Sequence, residues 1–74
     1  MNSLLIINLH SGNIMDKITY DGAPSTAIRK WADALVVEGE RYFIRYLNDH
    51  TEIHLFIMRN GEEIETGRWA AYQI

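Results

Sequence analysis

The chain has 74 residues, no cysteine, a formal net charge of −3 and a hydrophobic content of 47%. This length predicts a single domain, and the composition excludes a disulfide framework, a thiolate metal site and intrinsic disorder. The small negative charge argues against non-specific binding to nucleic-acid phosphates. The apolar run Leu4–Leu9 is far shorter than the roughly 20 residues of a membrane span, so we expect a cytoplasmic protein.

The first half of the chain predicts a β-hairpin followed by a helix. Ser3–Leu9 is nearly all apolar, as in a central strand or in an edge strand beneath a helix, and the alternating segment Ile14–Tyr20 follows a polar turn. Ser25 is expected to cap a helix of about three turns that stops before Gly39. The apolar stripe of this helix consists of Ile28, Trp31, Ala32 and Leu35.

The second half predicts three further strands, Arg41–Leu47, Thr51–Met58 and Glu62–Ile74. Asn60-Gly61 is the strongest turn signal in the chain, because both central residues of a type I′ hairpin turn need a positive φ. The element order is therefore β-β-α-β-β-β. The expected fold is α+β, with a mostly antiparallel sheet packed on one helix in two layers.

Gly67 interrupts the last predicted strand. A bulge or bend at this glycine would let Trp69 and Ala71 change face relative to Ile64, so that they share its side of the strand. We therefore expect Trp69 to be a core residue, with the alternative that it anchors an interface.

The hairpin Arg41–Arg59 carries large apolar side chains on both of its faces. Burying an unpaired charge is costly, so the face with fewer charges should line the core. The side chains expected inside are Tyr42, Ile44, Tyr46, Ile53, Leu55 and Ile57. The outward set is expected to bind a partner, with Phe43, Arg45, Phe56 and Met58 at its centre and His54, Glu52, Arg41 and Arg59 around it.

Other chemistries fit the sequence less well. A possible metal site is the alternating set His50, Glu52 and His54, whose side chains would project from one face of a strand. Their spacing is wide for a shared ion, so they are interpreted as solvated polar residues. No metal or cofactor is predicted. No serine lies in a nucleophile elbow, and no carboxylates are spaced to select them as an acid and base pair. A nucleic-acid-binding sheet remains an alternative, since aromatic and arginine side chains share the hairpin; a small metal-dependent enzyme is a second one.

The leading hypothesis is a non-enzymatic protein that binds another protein stoichiometrically. A homodimer through the same sheet face is an alternative occupant of that face. In size, acidity and lack of a catalytic signature, the chain resembles small proteins encoded by phages and other mobile elements. That resemblance implies an inhibitor of a host defence system or host enzyme, as anti-CRISPR proteins are, acting in the host cytoplasm.

Overall fold

The computed structural model describes all 74 residues and contains one helix and five strands. The elements are β1 (Asn2–Asn8), β2 (Ile14–Tyr20), α1 (Pro24–Leu35), β3 (Glu40–Tyr46), β4 (Thr51–Arg59) and β5 (Glu62–Gln73). The strands form one antiparallel sheet in the order β2-β1-β5-β4-β3, which confirms the predicted α+β fold and element order. No helix has the length and apolar character that crossing a membrane requires.

The β1–β2 hairpin meets the three-stranded unit β3-β4-β5 through β1 and β5, at the centre of the sheet. Leu4 lies opposite Gln73 and Asn8 opposite Trp69, so β1 covers only the second half of β5. The first chain segment and the last are therefore neighbours, while β2 and β3 form the outer edges.

The helix starts two residues earlier than predicted. Pro24 is its first residue and Ala23 its N-cap, and no side chain caps the helix start, so the prediction that Ser25 is the N-cap is wrong. A proline is well suited to this position, because its fixed φ is already helical and its missing N–H is not needed there. The helix ends at Leu35, and Gly39 belongs to the turn before β3.

The core lies between α1 and one face of the sheet. Ile28 and Ala32 from the predicted stripe are fully buried there, and the indole of Trp31 meets Trp69 edge-on at a ring distance of 5.8 Å. The other buried members of this cluster are Leu4, Ile6, Ile53, Leu55, Trp69 and Ala71. Tyr46 was expected in the core but is 55% exposed, because it is the last residue of an edge strand.

The turn between β4 and β5 has the predicted geometry. Asn60 and Gly61 both have a positive φ, of 53° and 78°. The resulting register places Ile57 opposite Ile64 and Phe56 opposite Glu65. Both hairpin strands therefore start in the register that a two-residue turn imposes.

A bulge then changes the register of β5. Phe56 pairs with Glu65 while Leu55 pairs with Gly67, so Thr66 is an extra residue. The insertion places Trp69, like Ile64, on the helix side of the sheet, as predicted from the glycine.

Gly67 allows the close approach that the bulge requires. The ring of Trp69 lies directly over Gly67, and a Cβ atom added there would lie 2.8 Å from Trp69 Cζ3. The residue therefore cannot carry a side chain unless the indole moves.

We expect the substitution Gly67→Ala to lower the free energy of unfolding by about 1–3 kcal/mol, because the added methyl group overpacks the contact with Trp69. Urea unfolding followed by fluorescence or circular dichroism measures this change.

The Trp69→Phe background provides the control for this mechanism. The smaller ring should accept the methyl group, so Gly67→Ala should cost much less there than in the parent protein. An equal cost in both backgrounds would show that the indole contact is not the cause.

Candidate functional site

The sheet face opposite α1, called the open face below, has no second layer over it. Its register follows from the pairing of β3 with β4, which sets Phe43 opposite His54 and Arg45 opposite Glu52. The alternating neighbours Ile53 and Leu55 are buried on the helix side, so the predicted division of this hairpin into two faces is correct.

His54 is at the centre of the open face and is buried. Its exposed fraction is only 7%, so the expectation of a solvated residue at the rim is wrong. Two aromatic rings shield the imidazole: Phe56 stacks on it at a ring distance of 6.3 Å, and Phe43 meets it edge-on at 6.0 Å. A polar ring is thus enclosed on a face that has no covering layer.

Two carboxylates surround the buried imidazole. His54 Nε2 lies 2.9 Å from Glu52 Oε1, and His54 Nδ1 lies 3.7 Å from Glu65 Oε2. The contact with Glu52 gives Nε2 a hydrogen-bond partner, which lowers the cost of burying this polar ring, and Glu65 lies within ion-pair distance of Nδ1.

Glu52 extends the polar network towards the β3–β4 turn. Its Oε2 lies 3.5 Å from His50 Nε2, and His50 Nδ1 lies 2.7 Å from Asp49 Oδ1. The hydrogen bond with His54, followed by the one with His50, holds the pKa of Glu52 below its ordinary value. The hydrogen bond with Asp49 raises the pKa of His50, whose ring also stacks on Tyr72 at 4.9 Å.

Glu65 and Arg68 form the other end of the network. The guanidinium of Arg68 donates two hydrogen bonds of 3.0 Å to the carboxylate of Glu65, and these lower the pKa of Glu65. Residues three apart in a regular strand point to opposite faces, so this pair exists because Thr66 is the extra residue of the bulge. Gly67 predicts the bulge, but strand alternation alone does not reveal the ion pair that the bulge creates.

The network separates two apolar areas of the open face. The first, called the aromatic patch, consists of Phe43, Phe56 and Met58; Phe43 is 56% exposed and Met58 is 48% exposed. The second, called the aliphatic patch, consists of Leu5, Ile7, Ala70 and Tyr72, in which Leu5 lies opposite Tyr72 and Ile7 opposite Ala70. The aliphatic patch was not predicted, because it requires β1 to lie beside β5.

The predicted cationic residues have different surroundings. Arg41 pairs with Glu63 at 3.3 Å, whereas Arg45 is exposed and forms no ion pair although it lies opposite Glu52. Arg59 does not lie on the open face: alternation from Met58 directs it to the helix side at the hairpin tip. The predicted contact set is therefore brought together except for Arg59.

The alternating residues His50, Glu52 and His54 do not share a common ligand position. His50 precedes β4, and each imidazole faces a different oxygen of the Glu52 carboxylate. No group of three or more histidine, aspartate or glutamate side chains is placed to hold a metal ion.

The pH dependence of stability should reflect this network. The pKa values of Glu52 and Glu65 are lowered by folding, so both carboxylates stabilise the protein at pH values above their ordinary pKa of 4.5. That stability is lost as the pH falls through the lowered values. We expect the free energy of unfolding to decrease from pH 5 towards pH 2, as measured by urea unfolding.

The double variant Glu52→Gln/Glu65→Gln should be less stable than the parent at neutral pH and should have a flatter acid limb. Glu62→Gln is the control, because Glu62 is exposed at the hairpin turn and forms no ion pair. An unchanged acid limb in the double variant would contradict the assignment.

The chain was compared with protein-family models, with curated proteins and with solved structures, and none of the three comparisons found a match.

Proposed function

We propose that this protein acts by binding another protein through the open face, without catalysing a reaction. The observation that carries the proposal is the aromatic patch, in which Phe43 is 56% exposed on a sheet face that no element of the chain covers. Contiguous exposed apolar groups edged by polar ones mark interaction sites, and aromatic side chains supply much of the energy of such contacts.

The polar network supports binding by holding its groups in place before a partner arrives. Glu52, His54 and Glu65 already pair with groups of the same chain, as does Arg68. A partner that covers these groups meets polar atoms that already have partners within the chain, and little side-chain ordering is required.

Arg45 suggests the chemistry of the contact. It is exposed, forms no ion pair, and follows Phe43 on the same face of the edge strand. A partner that presents a carboxylate beside an apolar group would engage both residues, and arginine and aromatic side chains are those that most often dominate interface energies.

Two features favour a binding protein over an enzyme or a nucleic-acid-binding module. His54 is enclosed by two phenylalanine rings and hydrogen-bonds only to a carboxylate, so it lacks the access to a substrate proton that a general base needs. Arg41 and Arg68 are paired with glutamates on the same face, which reduces their attraction for phosphates.

The proposed mode of action is stoichiometric inhibition, in which the bound chain blocks a functional surface of its partner. The support is the small size of the chain together with its binding face, a format that it shares with phage-encoded inhibitors of host defence, anti-CRISPR proteins included.

The double variant Phe43→Ser/Phe56→Ser should bind its partner at least tenfold more weakly than the natural chain, because it removes the exposed aromatic area. The tagged chain is first used to capture partners from a lysate of the organism that encodes it. The captured protein is then purified, and its affinity for each variant is measured by titration calorimetry at low and high salt.

The matched control is Val37→Ser, since Val37 is 65% exposed in the α1–β3 connection, away from the open face. Circular dichroism checks that each variant is folded. Equal affinity of the double variant and the control would refute the proposal. A captured nucleic acid with a steep loss of affinity in salt would refute it in favour of the nucleic-acid alternative.

A further inference from the structure

The edge strand β3 exposes unpaired backbone groups on its outer side, after Glu40, whose N–H is donated to Val37 O. Leu47 N donates to His50 O, which makes this the first hydrogen-bonded pair of the β3–β4 hairpin. Such pairs alternate along an antiparallel ladder, so the backbone groups of Arg41, Phe43 and Arg45 face β4. The N–H and C=O groups of the intervening residues face outward, and these residues are Tyr42, Ile44 and Tyr46.

The other edge of the sheet is protected against pairing. In β2 the backbone N–H of Lys17 is already donated to Asp16 Oδ1 at 2.8 Å. A register shift next to Ile7 distorts the β1–β2 ladder, and a lysine in the strand centre adds a charge. These are usual devices that prevent edge strands from pairing; β3 also carries charges, in Arg41 and Arg45, but it has neither a bulge nor a proline and none of its backbone N–H groups from Tyr42 to Tyr46 is capped by a side chain.

We infer that two copies of this chain associate by antiparallel pairing of β3 with β3, centred on Ile44. The pairing would place Ile44 opposite Ile44 of the second copy and Tyr42 opposite Tyr46 of the second copy. About six backbone hydrogen bonds would form, since each of the three hydrogen-bonded pairs exchanges two.

The charge pattern of the strand disfavours the two registers next to this one, and a centre on Ile44, the middle of the three outward-facing residues, forms the most backbone hydrogen bonds. Centring the pair on Phe43 would set Arg41 opposite Arg45 of the second copy, and centring it on Arg45 would set two arginines opposite each other. Like charges directly opposite are destabilising. Centring on Ile44 instead sets Phe43 opposite Arg45 of the second copy, twice by symmetry, so that each guanidinium meets an aromatic ring.

The pairing also covers large side chains that are exposed in the single chain. Phe43, Tyr46 and Leu47 are each more than a third exposed and all lie in or next to β3. The contact is a strip about 23 Å long and only one strand wide. The area it buries is therefore smaller than the roughly 800 Å² per partner of stable complexes, and we expect a dimer that forms at high micromolar concentration.

Self-association at this edge covers Phe43 and Arg45 but leaves the rest of the open face free, from Phe56 and Met58 to the aliphatic patch. It joins the open faces of two copies into one ten-stranded surface and does not require the proposed partner binding. The two proposals can therefore fail independently of each other.

Cysteine cross-linking tests the register, because the natural chain has no cysteine. In the proposed dimer the Cα atoms of residue 44 are about 5.5 Å apart, within the range of a disulfide. We expect Ile44→Cys to form a disulfide dimer under mild oxidation at high protein concentration, and urea to abolish the reaction.

Tyr46→Cys is the matched control. Position 46 is the more exposed of the two, but in this register its two copies lie about 14 Å apart, which is too far for a disulfide. Faster cross-linking at position 46 than at 44, or equal rates at both, would overturn the inference.

Sedimentation equilibrium of the natural chain gives a second readout that needs no cysteine. We expect a monomer–dimer equilibrium that Phe43→Lys abolishes, since this substitution sets an ammonium group opposite Arg45 of the second copy. Phe43→Glu should instead strengthen the dimer at least tenfold over Phe43→Lys. A strict monomer at about 0.5 mM would overturn the inference, since a dimer that forms at high micromolar concentration would be well populated there.

Discussion

The bulge at Thr66 and the contact between Gly67 and Trp69 determine how both faces of the sheet are built. Without the extra residue, β5 could not place Ile64 and Trp69 on the same side of the sheet. With it, Trp69 enters the core beside Trp31, and Glu65 comes to the same face as Arg68. A single inserted residue thus completes the core and one end of the polar network.

The open face differs from the solvated side of an ordinary two-layer domain. Its centre is a buried histidine between two glutamates, and apolar groups lie on both sides of that polar line. Buried polar networks stabilise a unique arrangement only when each member has its partner, and here Glu52, His54 and Glu65 all do. The side chains of this network are therefore held by one another within the single chain.

Local signals in the sequence were sufficient for much of the fold. The apolar stripe around Ile28 and Ala32, the turn at Asn60 and Gly61, and the strand alternation of β4 each depend on neighbours a few residues away, and each was predicted correctly. The N-cap was missed because both Pro24 and Ser25 are common at helix starts, and the choice between them depends on where the chain enters the helix.

The site was harder to predict because its contacts join distant segments. The aliphatic patch exists only because β1 pairs with β5, an arrangement that the element order leaves open. The burial of His54 depends on Phe43 from the neighbouring strand and on Glu65 from beyond the bulge. Alternation could assign His54 to the outward face, but it could not show that larger neighbours would enclose the ring.

Cross-saturation NMR on the isotope-labelled chain with its captured partner would test the binding role of the open face most directly. Saturation of the partner should pass to the aromatic patch, Phe43 and Phe56 above all, and should not reach Lys30 on the exposed side of α1. Saturation that reaches α1 and leaves the aromatic patch unaffected would contradict that role.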